Sequence, residues 1–172
     1  MNIRVFQDID DSFLRSEWER LEKEADVFPQ SSYHWCATWW KHLSGRRRLH
    51  VVMVVDDLGK ALAIAPLCIE WHLGARVLRS FPVNFGDFYQ VLASPRANSK
   101  EIFTTIKAYI DEHRGWHVAL LTPVNDSSAL YGYLVDAGIP DKHLTGNVVA
   151  DISAGTWDEY LSFVSKNRRR LT

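Results

Sequence analysis

Four aliphatic runs in the middle of the chain, "LHVVMVV", "ALAIAPLCIEW", "ARVLRSF" and "YQVLA", limit the fold more than any other feature. They are rich in β-branched and aliphatic residues and too short for ordinary helices, so each reads as a strand. "DDLG" separates the first two runs and Leu73-Gly74 separates the second and third, and both have the chemistry of tight hairpin turns. Strands joined by such short turns must run antiparallel to their neighbours, which makes this stretch a meander. Pro66 lies inside the second run and offers no amide proton, so an edge or a bulge is expected there.

Helical patterns flank the meander on both sides. The opening "NIRVF" reads as a strand, and Leu14, Trp18, Leu21 and Ala25 then fall on one helical face after the acidic start at Asp10 and Asp11. Phe28-Pro29 breaks that helix. Ser31 or Ser32 can cap a second one through "YHWCATWWKHL". Beyond the meander the pattern predicts a helix from near Ser99 to His113, the strand "WHVALL", a helix from near Ser127 to Ala137 and the strand "NVVADI". Thr156 and Glu159 form a capping box that opens a last helix with Trp157, Tyr160, Leu161 and Val164 on its apolar face. The expectation is an α/β (α+β) fold whose central, mixed and mostly antiparallel sheet is flanked by helices. Val52, Val54, Ile64, Leu67, Val118, Leu120 and Val149 are its expected core.

A chain of 172 residues with 47% hydrophobic content can bury one substantial core and is too short for two ordinary domains of about 100–150 residues each. Lys plus Arg number 20 against 21 for Asp plus Glu, so no global field attracts nucleic acid or an anionic surface, and any basic surface must be local. Cys36 and Cys68 fall in a helical and a strand pattern, which suits two buried thiols in a reducing, cytoplasmic setting better than a disulfide framework. No run approaches 18 apolar residues, so no membrane span is expected. His113 and His117 stand at four-residue spacing, but Gly115 and the change from helix to strand between them would turn the rings apart, and metal binding is not expected. No Ser or Cys nucleophile motif is present.

The order of elements, together with "FPQSSYHWCATWW", "AIAPL", "VLRSF" followed by "GDFYQVL", and "WDEYLSFVSKNRRRL", resembles the N-terminal half of a CelD/BcsL-like acetyltransferase. That group belongs to the GNAT superfamily, is related to the FemAB peptidyltransferases and is linked to polysaccharide or cell-envelope biosynthesis. The resemblance implies one GNAT-like domain over residues 1–172, with 156–172 as the start of a helix that links it to a second, C-terminal GNAT-like domain. It implies acetyl-CoA or another acyl-CoA for the full-length family and a sugar or amine as acceptor.

A GNAT enzyme holds the acyl-CoA pyrophosphate on a glycine-containing loop between a strand and the following helix, where free amides face the phosphates. The corresponding connection here is "SPRANSK", in which Pro95 has no amide proton and the glycine pattern is missing. No cofactor is therefore expected to bind this chain by itself. The expected substrate-binding residues are Asp87, Tyr89, Trp35 and Trp39. Asp87 is either an acceptor toward an amine or hydroxyl or an ordinary turn aspartate, and Tyr89 either lines the site or packs. Trp35, Trp39 and Trp40 either line a glycan groove or form a helical core stripe. Arg46, Arg47 and Arg48 either meet a phosphate group or are solvated loop residues. The catalytic residues are unknown at this level. The alternative function is a non-catalytic binding or interaction domain on a degenerate GNAT fold.

Overall fold

The computed structural model describes residues 1–82, 88–113 and 115–140, all within the unit Met1–Asp141. The expected strand "NVVADI", Val149 and the expected helix 156–172 lie outside the described residues, as does Asp87.

Strand β1 (Asn2–Phe6) is followed by α1 (Ser12–Glu24), a short 3-10 turn (Pro29–Ser31) and α2 (Tyr33–Leu43). The meander comprises β2 (Arg48–Leu49), β3 (Val51–Val55), β4 (Ala61–Ala65), β5 (Leu67–His72), β6 (Ala75–Ser80) and β7 (Leu92–Ala93). Then come α3 (Ser99–Glu112), β8 (Val118–Leu120) and α4 (Ala129–Asp136). Among the described residues two four-stranded sheets result, in the orders β1-β3-β4-β7 and β2-β5-β6-β8. Every pairing is antiparallel except β6 with β8.

The two sheets are one meander cut along a line. The cut crosses the chain at His50 between β2 and β3, at Pro66 between β4 and β5, and after Ser80 between β6 and β7. Pro66 is the physical cause at its own crossing, since it donates nothing to the ladder. Hydrogen bonds still tie the neighbours there: Phe81 N donates to Pro66 O at 3.2 Å and His50 N to Leu67 O at 2.9 Å. At one hairpin Asp56 Oδ1 accepts from Leu58 N and Lys60 N, and Gly59 takes φ of +81°.

Both early helices are capped as the sequence predicts. Asp11 accepts from Leu14 N at the start of α1, and the Ser32 hydroxyl accepts from Trp35 N at the start of α2. Leu14, Trp18 and Leu21 turn inward, and Trp18 Nε1 donates to Ser31 O at 3.1 Å. Glu17 accepts from Ala61 N at 2.7 Å while Arg20 donates to Ala61 O at 2.6 Å, which clamps α1 onto the start of β4.

These helices cover a core that includes Val51, Met53, Ile64, Cys68 and Phe81. On the opposite side Ile102, Phe103, Ile106 and Tyr109 of α3 and Leu130 of α4 pack with Val52, Val54, Leu67 and Leu78. Successive residues of β3 therefore enter different cores, which explains why "VVMVV" is apolar throughout instead of alternating. Both cysteines are free, buried thiols.

The expected core residues Val52, Val54, Ile64 and Leu67 are fully buried, but Val118 and Leu120 are 53% and 42% exposed. Among the described residues β8 pairs with β6 alone and forms the edge of its sheet. An apolar strand pattern reports a preference for burial, and the neighbours that could satisfy it are set elsewhere in the chain.

Candidate functional site

On the α2 side of the sheet, three strand and loop residues bring opposite charges together beneath a tryptophan. Glu70 of β5 lies two residues from the buried Cys68 and so shares its face; Arg79 of β6 stands directly opposite Cys68 in the ladder. Arg79 NH1 donates to Glu70 Oε1 at 2.7 Å, and Arg47 Nε donates to Glu70 Oε2 at 2.8 Å. The Arg47 guanidinium also lies 5.8 Å from the Trp39 ring centroid, a cation–π arrangement. Trp39 stacks on Phe81 with centroids 6.0 Å apart, and Trp40 completes the aromatic group 5.5 Å from Phe81.

Burial works to raise the pKa of the Glu70 carboxyl, but hydrogen bonds from Arg79 and Arg47 outweigh it and hold the group below the usual carboxylate range. The cluster thus holds two cations against one anion. It also holds two buried N–H donors, Trp39 Nε1 and Arg79 Nε, without a hydrogen-bond partner among the described residues. Unfilled buried donors are costly in a fold and are matched by an acceptor oxygen when a ligand supplies one. Indole faces, guanidinium donors and net positive charge together suit an oxygen-rich or anionic acceptor group.

Of the four expected substrate-binding residues, Trp39 alone joins this cluster among those the structure describes; Trp40 and Arg47, also singled out in the sequence, join it as well. Trp35, one turn earlier on α2, is 44% exposed. Tyr89 is only 6% exposed and packs in the α3-side core; its N donates to Pro123 O at 2.6 Å and it bridges Val124. Burial, with the neighbouring Cys36 and Cys68, pushes the Tyr89 phenol upward, so it stays protonated. Of the three arginines, Arg47 is drawn into the Glu70 pair while Arg46 and Arg48 are exposed. Glu70 and Arg79 escaped the sequence reading. Their signal was a single charge inside each of two apolar runs, "LCIEW" and "VLRS", a position that demands a partner.

At the other candidate location, the start of α3, two of the first-turn amides are already used. Asn98 Oδ1 accepts from Lys100 N at 3.0 Å and Glu101 N at 3.4 Å, and Ala97 N donates to Ser94 O at 3.0 Å. Pro95 adds no donor. These residues do not fit an acyl-CoA pyrophosphate, because the chain itself caps the helix end that would hold it.

A second polar group lies under α3. His50 Nε2 meets the Tyr109 hydroxyl, Trp116 stands edge-on to His50 at 5.2 Å, and His113 lies 3.9 Å from the Tyr109 ring. Burial first, then His113 and Arg48, lowers the His50 pKa to about 4, so the imidazole is neutral at physiological pH. His117 belongs to a different set of partners, its Nδ1 accepting from Arg76 N at 2.9 Å.

No protein-family model matches the chain, and no curated protein matches its sequence. Solved structures do match. A probable acetyltransferase superposes with a TM-score of 0.52 at 12% identity, over 90% of this chain and 99% of the other. A tetramutant of the BH1408 protein from Bacillus halodurans gives 0.51 at 14% identity, over 87% and 99%. A Pyrococcus furiosus protein assigned as an acetyl transferase gives 0.50 at 11% identity, over 86% and 99%. At these identities the likeness is one of fold: the chain has a GNAT-like mixed α/β fold.

Proposed function

We propose that this chain is the acceptor-side, GNAT-like unit of an N-acyltransferase acting on a sugar or amine in polysaccharide or cell-envelope biosynthesis, with the acyl-CoA held by a second GNAT-like unit. The observation that carries the reading is the Trp39, Arg47, Glu70 and Arg79 cluster, a buried polar group with donors to spare on the α2 side of the sheet. In this reading Glu70 holds the two guanidiniums in place, Arg79 Nε and Trp39 Nε1 donate to acceptor oxygens, and the half-buried Trp40 indole packs on a ring. The fold of the acetyltransferase structures supports the class of reaction. Asn98, which occupies the amides at the start of α3, supports assigning the acyl-CoA to another unit. The same capping favours the second reading, a non-catalytic binding domain on this fold.

Calorimetry tests the proposal. The isolated chain should show no micromolar isotherm with acetyl-CoA and a measurable one with an amino sugar, and Arg79→Gln should weaken the latter. Tight acetyl-CoA binding would restore a one-domain enzyme, and indifference of sugar binding to Arg79→Gln would remove the cluster from the site. A reading frame that continues for about another domain beyond residue 172 would separate the acyltransferase unit from the stand-alone binding domain.

A further inference from the structure

The hairpin that joins β5 to β6 turns on Leu73 and Gly74, with φ of +47° and +81°. Two positive φ values define a turn whose first position favours Asn or Gly, because a branched side chain crowds the left-handed region. Leu73 accepts that strain and is nevertheless 95% exposed, so packing offsets none of it. Trp71, two residues earlier on the same arm, is 70% exposed. A leucine and an indole exposed on one hairpin serve no purpose in the core of the described residues.

The surroundings of this tip are basic. β2 pairs with β5 through Arg48 opposite Ile69, so the Arg46–Arg48 run lies beside the arm that ends in Trp71 and Leu73. Neither the stretch 42–50 nor the stretch 71–79 contains an Asp or Glu, whereas both contain arginine. Arg47 is committed to Glu70, but Arg46 and Arg48 are exposed and form no ion pair among the described residues. The chain as a whole is close to neutral, which makes this a local feature.

We infer that the β5–β6 hairpin is a docking element for an anionic membrane surface, with Leu73 and Trp71 entering the headgroup region while Arg46 and Arg48 meet acidic lipid headgroups. Indoles favour the interface between water and acyl chains, and arginines beside them add attraction to acidic lipids. A polyanion such as nucleic acid would also attract the arginines but gives the strained leucine nothing to do. With one small wedge and two free cations, the attachment is reversible and salt-sensitive. The inference stands apart from the acceptor cluster and does not depend on it.

Vesicle flotation tests it at low and physiological salt, with phosphatidylcholine vesicles that contain or lack roughly 30 mol% phosphatidylserine. The full chain should float with the acidic vesicles only, and less so as salt rises. Leu73→Asn relieves the turn, so it should keep or raise the thermal midpoint and yet cut binding about tenfold; the Arg46→Gln, Arg48→Gln double variant should cut it by about tenfold or more. Failure of the wild type to float, or equal flotation by Leu73→Asn, would overturn the inference. So would binding to a heparin or RNA probe that is stronger than to vesicles and indifferent to Leu73, or Leu73-dependent self-association in sedimentation velocity.

Discussion

His50 Nε2 lies 2.8 Å from the Tyr109 hydroxyl, and the two rings stack with centroids 5.9 Å apart, joining the cut in the sheet to α3. His50 is held neutral, with its pKa lowered to about 4 by burial and by the nearby His113 and Arg48. The unfolded chain takes up that proton at about pH 6.5, so protonation favours unfolding. Stability from this group is complete above that pH and is lost as the pH falls through 4, by about 3 kcal/mol in all. Urea midpoints measured between neutral and acid pH should show the decline, and His50→Gln should flatten it.

Tyr109→Phe separates the hydrogen bond from the ring stack. The phenyl ring keeps its place while His50 Nε2 loses its partner, so the variant should lose about 1–2 kcal/mol in equilibrium unfolding. An unchanged stability would show that the buried imidazole needs no partner.

Burial drives both thiols far from their reactive form. The Cys68 thiol is pushed up to about 12, chiefly by burial, and the Cys36 thiol is pushed higher still by burial and Glu22. Since the thiolate is the nucleophile, neither should react with a disulfide reagent in the native protein at pH 8 or so, and both should react at once in denaturant. Rapid labelling of one thiol in the native state would place it outside the core.

Glu70→Gln should destabilise the domain by about 1–3 kcal/mol, because Arg47 and Arg79 would keep their charges and lose the carboxylate between them. Charge is the operative property, so acid should mimic the substitution as Glu70 itself becomes protonated. The variant's denaturation curves should therefore converge with those of the wild type at low pH once the His50 effect is allowed for.

The caps at Asp11 and Ser32, the turn at Asp56 and the meander were legible because each is set by residues within a few positions of one another. Pro66 marked the break in one strand, but that the break runs on through His50 depends on strand register. The site was less legible for the same reason. Arg47, Glu70 and Arg79 meet only after β2, β5 and β6 have paired, and the pattern of "WCATWW" alone could not tell the exposed Trp35 from the buried Trp39. The sequence leaves Tyr89 either lining the site or packing, and the chain there returns to bridge Val124 and buries the ring.

Two buried tryptophans offer a matched test of the orphan donor in the cluster. Trp18 is fully buried and its Nε1 donates to Ser31 O, whereas Trp39 is 4% exposed and its Nε1 has no partner among the described residues. Replacing either by Phe removes part of an indole and opens some space, at a comparable loss of packing. Trp18→Phe also strands the Ser31 carbonyl, which adds about 1–3 kcal/mol; Trp39→Phe instead removes an unsatisfied donor and recovers a cost of similar size. Trp18→Phe should thus be the more destabilising of the two by about 2 kcal/mol or more in urea unfolding. If Trp39 Nε1 serves an acceptor ligand, Trp39→Phe should at the same time weaken amino-sugar binding in calorimetry while Trp18→Phe leaves it unchanged. Equal losses of stability in the two variants, with binding intact in both, would mean that Trp39 is an ordinary core residue and that the donor facing the cluster has no ligand to serve.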